Sequence, residues 1–140
     1  GIEALSRNAS WCDFVDHNRE SVQIIKKNLE SCNLTEKSKV YQLDAVKFVK
    51  SIIRNPAKCP GYDFVFLDPF YADIKQSYLL EILPQVLVKD LNTKSGIVVF
   101  FHGENLILAN VLKNSSLQVV DSRKYGKSYV DFLASPNQLS

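Results

Sequence analysis

Methionine is absent from all 140 residues. As written the chain therefore lacks an initiator, and it opens on Gly1-Ile2-Glu3-Ala4-Leu5, which reads as the interior of a helix; the expectation is that a segment precedes it. Cysteine is sparse. Cys12, Cys32 and Cys59 are an odd number at wide spacings, and only His17 and His102 could assist them. That set excludes a zinc site of ordinary spacing and a disulfide framework, and makes a reducing cytoplasm the simplest compartment. No apolar run approaches the ~20 residues that span a bilayer, and the N-terminus lacks the charged and apolar regions of a signal peptide. Neither sign of charge dominates: 17 basic against 15 acidic residues leave a formal charge of +2. Such a balance permits a nucleic-acid partner without demanding one. The basic residues are dispersed except for a tighter group at Arg123, Lys124 and Lys127, and most of them read as solvated surface. No G-x-G-x-x-G occurs, which weakens a nicotinamide-dependent reading.

What is present is an ordinary globular composition, 46% hydrophobic and 23% charged. A chain of this length reads as one domain, residues 1–140, incomplete at its N-terminus, and buries roughly 70% of its unfolded surface. Strand and helix signals alternate along it. WCDFVD (11–16) is a strand candidate, and Asn18 can cap a helix whose Val22, Ile25, Leu29 and Cys32 form one apolar stripe. KVYQLD (39–44) alternates as a strand, and Asp44 can cap a helix carrying Ala45, Phe48 or Val49, and Ile52. After a breaker-rich loop at 55–61, YDFVFLD (62–68) is continuously apolar, the signature of a parallel strand buried on both faces. Asp73 and Gln76 are spaced as a capping box for a helix burying Ile74, Tyr78, Leu79 and Ile82, which Pro84 should kink or split. GIVVFF (96–101) is a second fully buried strand. A helix over 105–113 and strands near 117–122 and 128–134 follow, with Gly126 suited to the tight connection in RKYGK.

These units predict an α/β fold, a three-layer doubly wound (Rossmann-like) sheet, mostly parallel and closed by a C-terminal antiparallel hairpin. Ligands in such sheets bind beyond the carboxyl ends of the strands, where Asp16, Asp44 and Asp68 all fall. Each acid has a plain alternative use: an aspartate at a helix start satisfies free N–H groups, worth about 1 kcal/mol. On successive strand ends they suit a nucleoside, with one acid accepting from ribose hydroxyls and Asp44 from a purine amino group.

The stretch FLDPFY, 66–71, ends the most apolar strand in an acid, a proline and two aromatics. Asp68-Pro69-Phe70-Tyr71 resembles the D/N-P-P-Y/F signature of amino-group methyltransferases. GIEALSRNA, FVDHN, LDA, YDFVFLDPFY and the closing KYG together resemble the bacterial 16S rRNA guanine-N2 methyltransferase D family across essentially the whole chain. The resemblance implies a class I methyltransferase fold with S-adenosyl-L-methionine as cofactor and 16S rRNA or the small ribosomal subunit as partner. It implies cofactor contacts at Asp16, His17, Asp44 and Ala45. Asp68 and the Pro69 carbonyl would accept the amino hydrogens of the target base, and Tyr71 would stack on it, with Phe70 beside it. Phe70 stands where the family has a second proline, which frees the backbone there; its plainer use is packing against the sheet. The family also carries a strand and a D-x-F-x-G-x-G loop ahead of the GIEALSR helix, so the chain reads as an excerpt of a longer enzyme whose first strand and glycine loop are not in this sequence. Two rival readings remain open at this level: a DNA adenine-N6 methyltransferase, and a non-catalytic RNA-binding module on the same fold. His102, after the second buried strand, reads as structural.

Overall fold

The structure is a computed structural model, and it describes residues 1–59, 61–69, 74–88 and 96–135. The chain divides into two compact units, Gly1–Phe48 and Val49–Ser140.

In the first unit, helix α1 (Ile2–Ser6) buries Leu5 and leads to strand β1 (Cys12–Asp16). Helix α2 (Arg19–Ser31) then crosses over to strand β2 (Ser38–Gln42). The two strands pair in parallel, from Cys12 opposite Ser38 to Asp16 opposite Gln42. A parallel pair needs such a crossover because a tight turn returns the chain antiparallel. The start of α2 is set as its sequence predicts, the Asn18 side chain accepting from the Ser21 N–H. Its stop is set by Asn33, which adopts φ 56° while Leu34 N–H bonds Leu29 C=O at 2.9 Å and Asn33 N–H bonds Glu30 C=O at 3.1 Å. This is the Schellman arrangement, which satisfies carbonyls the helix end would otherwise strand. It also corrects the expected stripe. Val22 and Leu29 are buried, but Cys32 is the C-cap residue and is exposed, because the chain has left the helical path there.

Helix α3 (Ala45–Arg54) carries the division between the units and buries both Phe48 and Val49. In the second unit come strand β3 (Phe64–Leu67), helix α4 (Ile74–Ile82), strand β4 (Ile97–Gly103), the short helix α5 (Leu108–Val111), and strands β5 (Gln118–Tyr125) and β6 (Ser128–Ala134). Their sheet has the order β3-β4-β6-β5, with β3 parallel to β4 and the other pairings antiparallel. Gly126, at φ +61°, opens the two-residue turn of the β5–β6 hairpin, a conformation in which a side chain is disfavoured. Gly96 is required for a different reason. A Cβ there would lie 2.5 Å from Tyr62 O and 2.9 Å from Leu87 Cβ, where the segments leading into β3 and β4 pass each other.

Strands β1 and β2 form one sheet and β3, β4, β6 and β5 another, and no described residue pairs with the remaining edge of β1 or of β3. Three expectations change in the second unit. Strand β3 is not sealed on both faces, since Phe64 and Phe66 are 58% and 51% exposed. In the α4 region Tyr78 is half-exposed beneath Lys50 Nζ, 4.9 Å from its ring centre, and Leu80 takes the sealed position. The helix expected over 105–113 contracts to Leu108–Val111. Asn105 and Asn110 lie in it and Asn114 follows, residue types whose side chains compete with helical hydrogen bonds. Pro84 does split its helix, α4 giving way at Leu83 to a 3₁₀ turn. The Asp73 half of the expected capping box and the side chain of Ile74 lie outside what is described.

Candidate active site

At the carboxyl edge of the first unit, Asp16 ends β1 with its Oδ1 accepting from the Asn18 N–H at 2.8 Å. His17 is exposed, with Nδ1 3.9 Å from the same oxygen. The Asp16 carbonyl accepts from Leu43 N–H at 3.0 Å, which carries the parallel pairing one residue past β2 and places Asp44 beside it. Asp44 is half-buried and caps α3, Oδ1 accepting from the Lys47 N–H at 3.1 Å, with Ala45 the first residue of that helix. The structure thus brings Asp16, His17, Asp44 and Ala45 to one strand edge. The capping use of Asp44 is real, and it also fixes that carboxylate in place. Asp16 has one oxygen engaged in its turn, and its Oδ2 has no partner among the described residues. A rigid carboxylate with an open oxygen at a parallel strand end fits the ribose side of a nucleoside cofactor.

In the second unit, Asp68 directly follows β3 and is exposed, with no partner to its carboxylate among the described residues; Pro69 is half-buried. Strand register sets Leu67, the last residue of β3, opposite Phe100, and β4 runs on three residues farther to Gly103. Phe70 and Tyr71, the other two residues of the motif, lie outside the described residues.

The residue undervalued by sequence is His102. It is not solitary: its side chain is 8% exposed, Nε2 lies 2.5 Å from Asp131 Oδ2, and Nδ1 lies 2.9 Å from Gly103 O. The ring also stacks on Tyr129, 5.4 Å between centres at 6°. One signal pointed to this pair. Asp131 stands in the middle of the apolar strand SYVDFLA, and a buried carboxylate there requires a partner, of which histidine was one of few candidates.

Elsewhere, burial raises the Cys12 thiol above its ordinary pKa. A hollow of about 500 Å³ lies among Ile52, Ile53, Pro56, Cys59, Val86 and Leu87. Its residues flank the segment leading into β3, at the other end of that strand from Asp68, so it is not the site the motif marks. Among the described residues there is no group of three metal-ligating side chains, and no helix is long and apolar enough to cross a membrane.

Residues 1–134 match the family described as conserved hypothetical protein 95. The chain belongs to that family. It is 32% identical over 108 residues to YlbH of Bacillus subtilis, provisionally named an rRNA methyltransferase, covering 77% of this chain and 55% of that protein. The chain thus spans about half the length of this curated relative. A conserved hypothetical protein of Streptococcus pyogenes superposes with a TM-score of 0.77 at 23% identity, over 98% of this chain and 79% of that one. A Haemophilus influenzae protein provisionally named a methylase superposes with a TM-score of 0.70 at 20% identity, over 96% of this chain and 78% of that one. The fold of this member of the conserved hypothetical protein 95 family is therefore α/β and Rossmann-like, as in these solved structures. The resemblance read from its motifs is borne out at the level of family and fold.

Proposed function

We propose that this protein is an S-adenosyl-L-methionine-dependent methyltransferase acting on the exocyclic amino group, N2, of a guanine in 16S rRNA, in the cytoplasm. Residues 1–140 serve in this reading as one methyltransferase domain. The observation that carries it is Asp68-Pro69 at the carboxyl end of β3, in register with β4, in a chain of methyltransferase fold. The rRNA name of YlbH supports the choice of substrate class over DNA.

When bound, S-adenosyl-L-methionine supplies an electrophilic methyl group on a sulfonium. Asp16 and His17 would hold its ribose side, and Asp44 with Ala45 its base. The guanine amino nitrogen is a weak nucleophile because its lone pair is delocalised into the ring. The Asp68 carboxylate and Pro69 carbonyl accept its two hydrogens and turn the lone pair out of the ring plane, toward the methyl. Methyl transfer would leave the nitrogen cationic with one proton to lose, and the exposed Asp68 carboxylate would be the nearest base in the motif to take it. Fixed acceptors of this kind lower barriers by several kcal/mol through orientation and preorganised charge. The resemblance gives Tyr71 the role of stacking on the base, a contact worth ~1–3 kcal/mol, with Phe70 beside it in the motif.

The test is methyl transfer from labelled S-adenosyl-L-methionine to small-subunit rRNA by the intact protein, compared with Asp68→Ala. Transfer is abolished in the variant, while cofactor affinity measured by calorimetry changes less than about threefold, since Asp68 serves the base and not the cofactor. Undiminished turnover in the variant would remove Asp68 from the chemistry.

A further inference from the structure

The three-cation group of the sequence, Arg123, Lys124 and Lys127, has a defined place in the fold. All lie on the β5–β6 hairpin: two at the end of β5 and one in its turn. Residues 118–128 hold three cations against one carboxylate, Asp121, a net charge of +2 that equals the formal charge of the whole chain. The rest of the molecule is thus balanced, and the excess is concentrated here.

The register shows where this charge points. Ser128, the first residue of β6, lies opposite Gly103, the last residue of β4. The hairpin turn therefore projects past the carboxyl end of β4, the same sheet edge at which Asp68 follows β3. Strand β5 is three strand spacings from β3, or ~14 Å.

Two of the cations, Arg123 and Lys124, are also held in position. Successive strand residues point to opposite faces, and each face has its own anchor. Arg123 Cζ lies 5.3 Å from the Phe132 ring centre, and its guanidinium hydrogen-bonds Tyr125 and Asp121. Lys124 Nζ lies 5.4 Å from the Tyr129 ring, which is itself stacked on the buried His102. Tyr125, on the face of Arg123 and between Lys124 and Lys127 in the chain, is 61% exposed. An edge strand commonly carries lysine to discourage pairing with other chains, but that purpose does not call for an exposed aromatic among the charges. Fixed cations flanking an exposed ring are what a nucleic-acid strand engages, phosphates on the cations and an unstacked base on the ring.

We propose that the β5–β6 hairpin is an RNA-docking surface, with Arg123, Lys124 and Lys127 meeting backbone phosphates and Tyr125 stacking on an unpaired base. The proposal rests on the methyltransferase reading for its choice of RNA. It adds to that reading the element that grips the substrate beside the reacting nucleotide.

The experiment compares the intact protein with the triple variant R123A/K124A/K127A and with Tyr125→Ala. It measures affinity for a small-subunit rRNA fragment across a salt series, together with KM for that RNA in methyl transfer. In the triple variant the slope of log K against log salt falls by ~2, from three lost phosphate contacts at ~0.7 each. KM for RNA rises about tenfold or more, and S-adenosyl-L-methionine affinity holds, which shows that the variant is folded. Tyr125→Ala weakens RNA binding about tenfold with the salt slope retained. A triple variant with the parent's slope and KM overturns the proposal. Failure of the methyltransferase reading registers separately, as absence of transfer in the parent protein, while the binding series still decides the role of the hairpin.

Discussion

Strands β3 and β4 carry nearly the same sequence signal and end in different environments. Both are continuous apolar runs, FVFL and IVVFF, and both read as buried on two faces. In β4 that is so: Val98 and Phe100 are fully sealed and Val99 is 5% exposed. In β3 the residues alternate, Val65 and Leu67 half-buried and Phe64 and Phe66 more than half exposed, their rings stacked 6.5 Å apart. The difference is position. Strand β4 has β3 on one side and β6 on the other, whereas β3 pairs with β4 alone among the described residues. An apolar run states what a strand can tolerate, and its neighbours settle what it receives.

The contrast can be broken at its strongest point by truncating the sealed ring. Phe100→Ala should cost about 3–5 kcal/mol, from lost transfer energy and the cavity left behind. Urea unfolding of the intact protein measures it. Similar in size is Asp131→Ala, which leaves His102 buried without its carboxylate. Breaking a buried pair from one side costs about 3–5 kcal/mol, and His102→Ala combined with Asp131→Ala should recover part of it, since neither buried polar group is then left without its partner. Purely additive losses in that cycle would deny that the pair links β4 to β6.

Gly96→Ala examines the entry to both strands. With backbone and Leu87 this close, the added methyl forces a shift costing about 1–3 kcal/mol, seen as a lower unfolding midpoint at unchanged slope. Smallest is Phe66→Ala, at about 1 kcal/mol or less, because half of the ring is already in water. A loss from Phe66→Ala matching that from Phe100→Ala would show that β3 is covered on both faces in solution, and the comparison would fail.

How far the chain could be read in advance varies by element. All six strands among the described residues were legible, from alternation in 39–44 and apolar runs at 62–68 and 96–101 to the hairpin around Gly126. Helix starts were legible where a side chain caps them, as Asn18 and Asp44 do. Helix ends were less so. Asn8 and Asn33 close α1 and α2 through left-handed φ values of 73° and 56°, a use of asparagine that composition alone does not announce. In the α4 region Leu79 and Ile82 are buried as expected and Tyr78 alone was misplaced, because Leu79, Leu80, Ile82 and Leu83 leave several stripes open and Tyr78 fits more than one. Of the candidate site, Asp16, Asp44 and Asp68 were found because strand ends are local features. The partnership of His102 with Asp131 was not, because it joins residues 29 apart across an antiparallel register.

The sequence by itself determined the alternation of strand and helix, the caps that start α2 and α3, the acids at three strand ends and the motif that marks the family. These follow from local rules of periodicity, turn chemistry and capping, each written within a few residues. Only the tertiary structure decided that β4 is sealed while β3 is not, that His102 has a buried carboxylate, and that Arg123, Lys124 and Lys127 stand at the same sheet edge as Asp68. Each of these depends on which strands lie side by side and in what register, and pairing energies between distant segments set that order, not any one stretch of the chain.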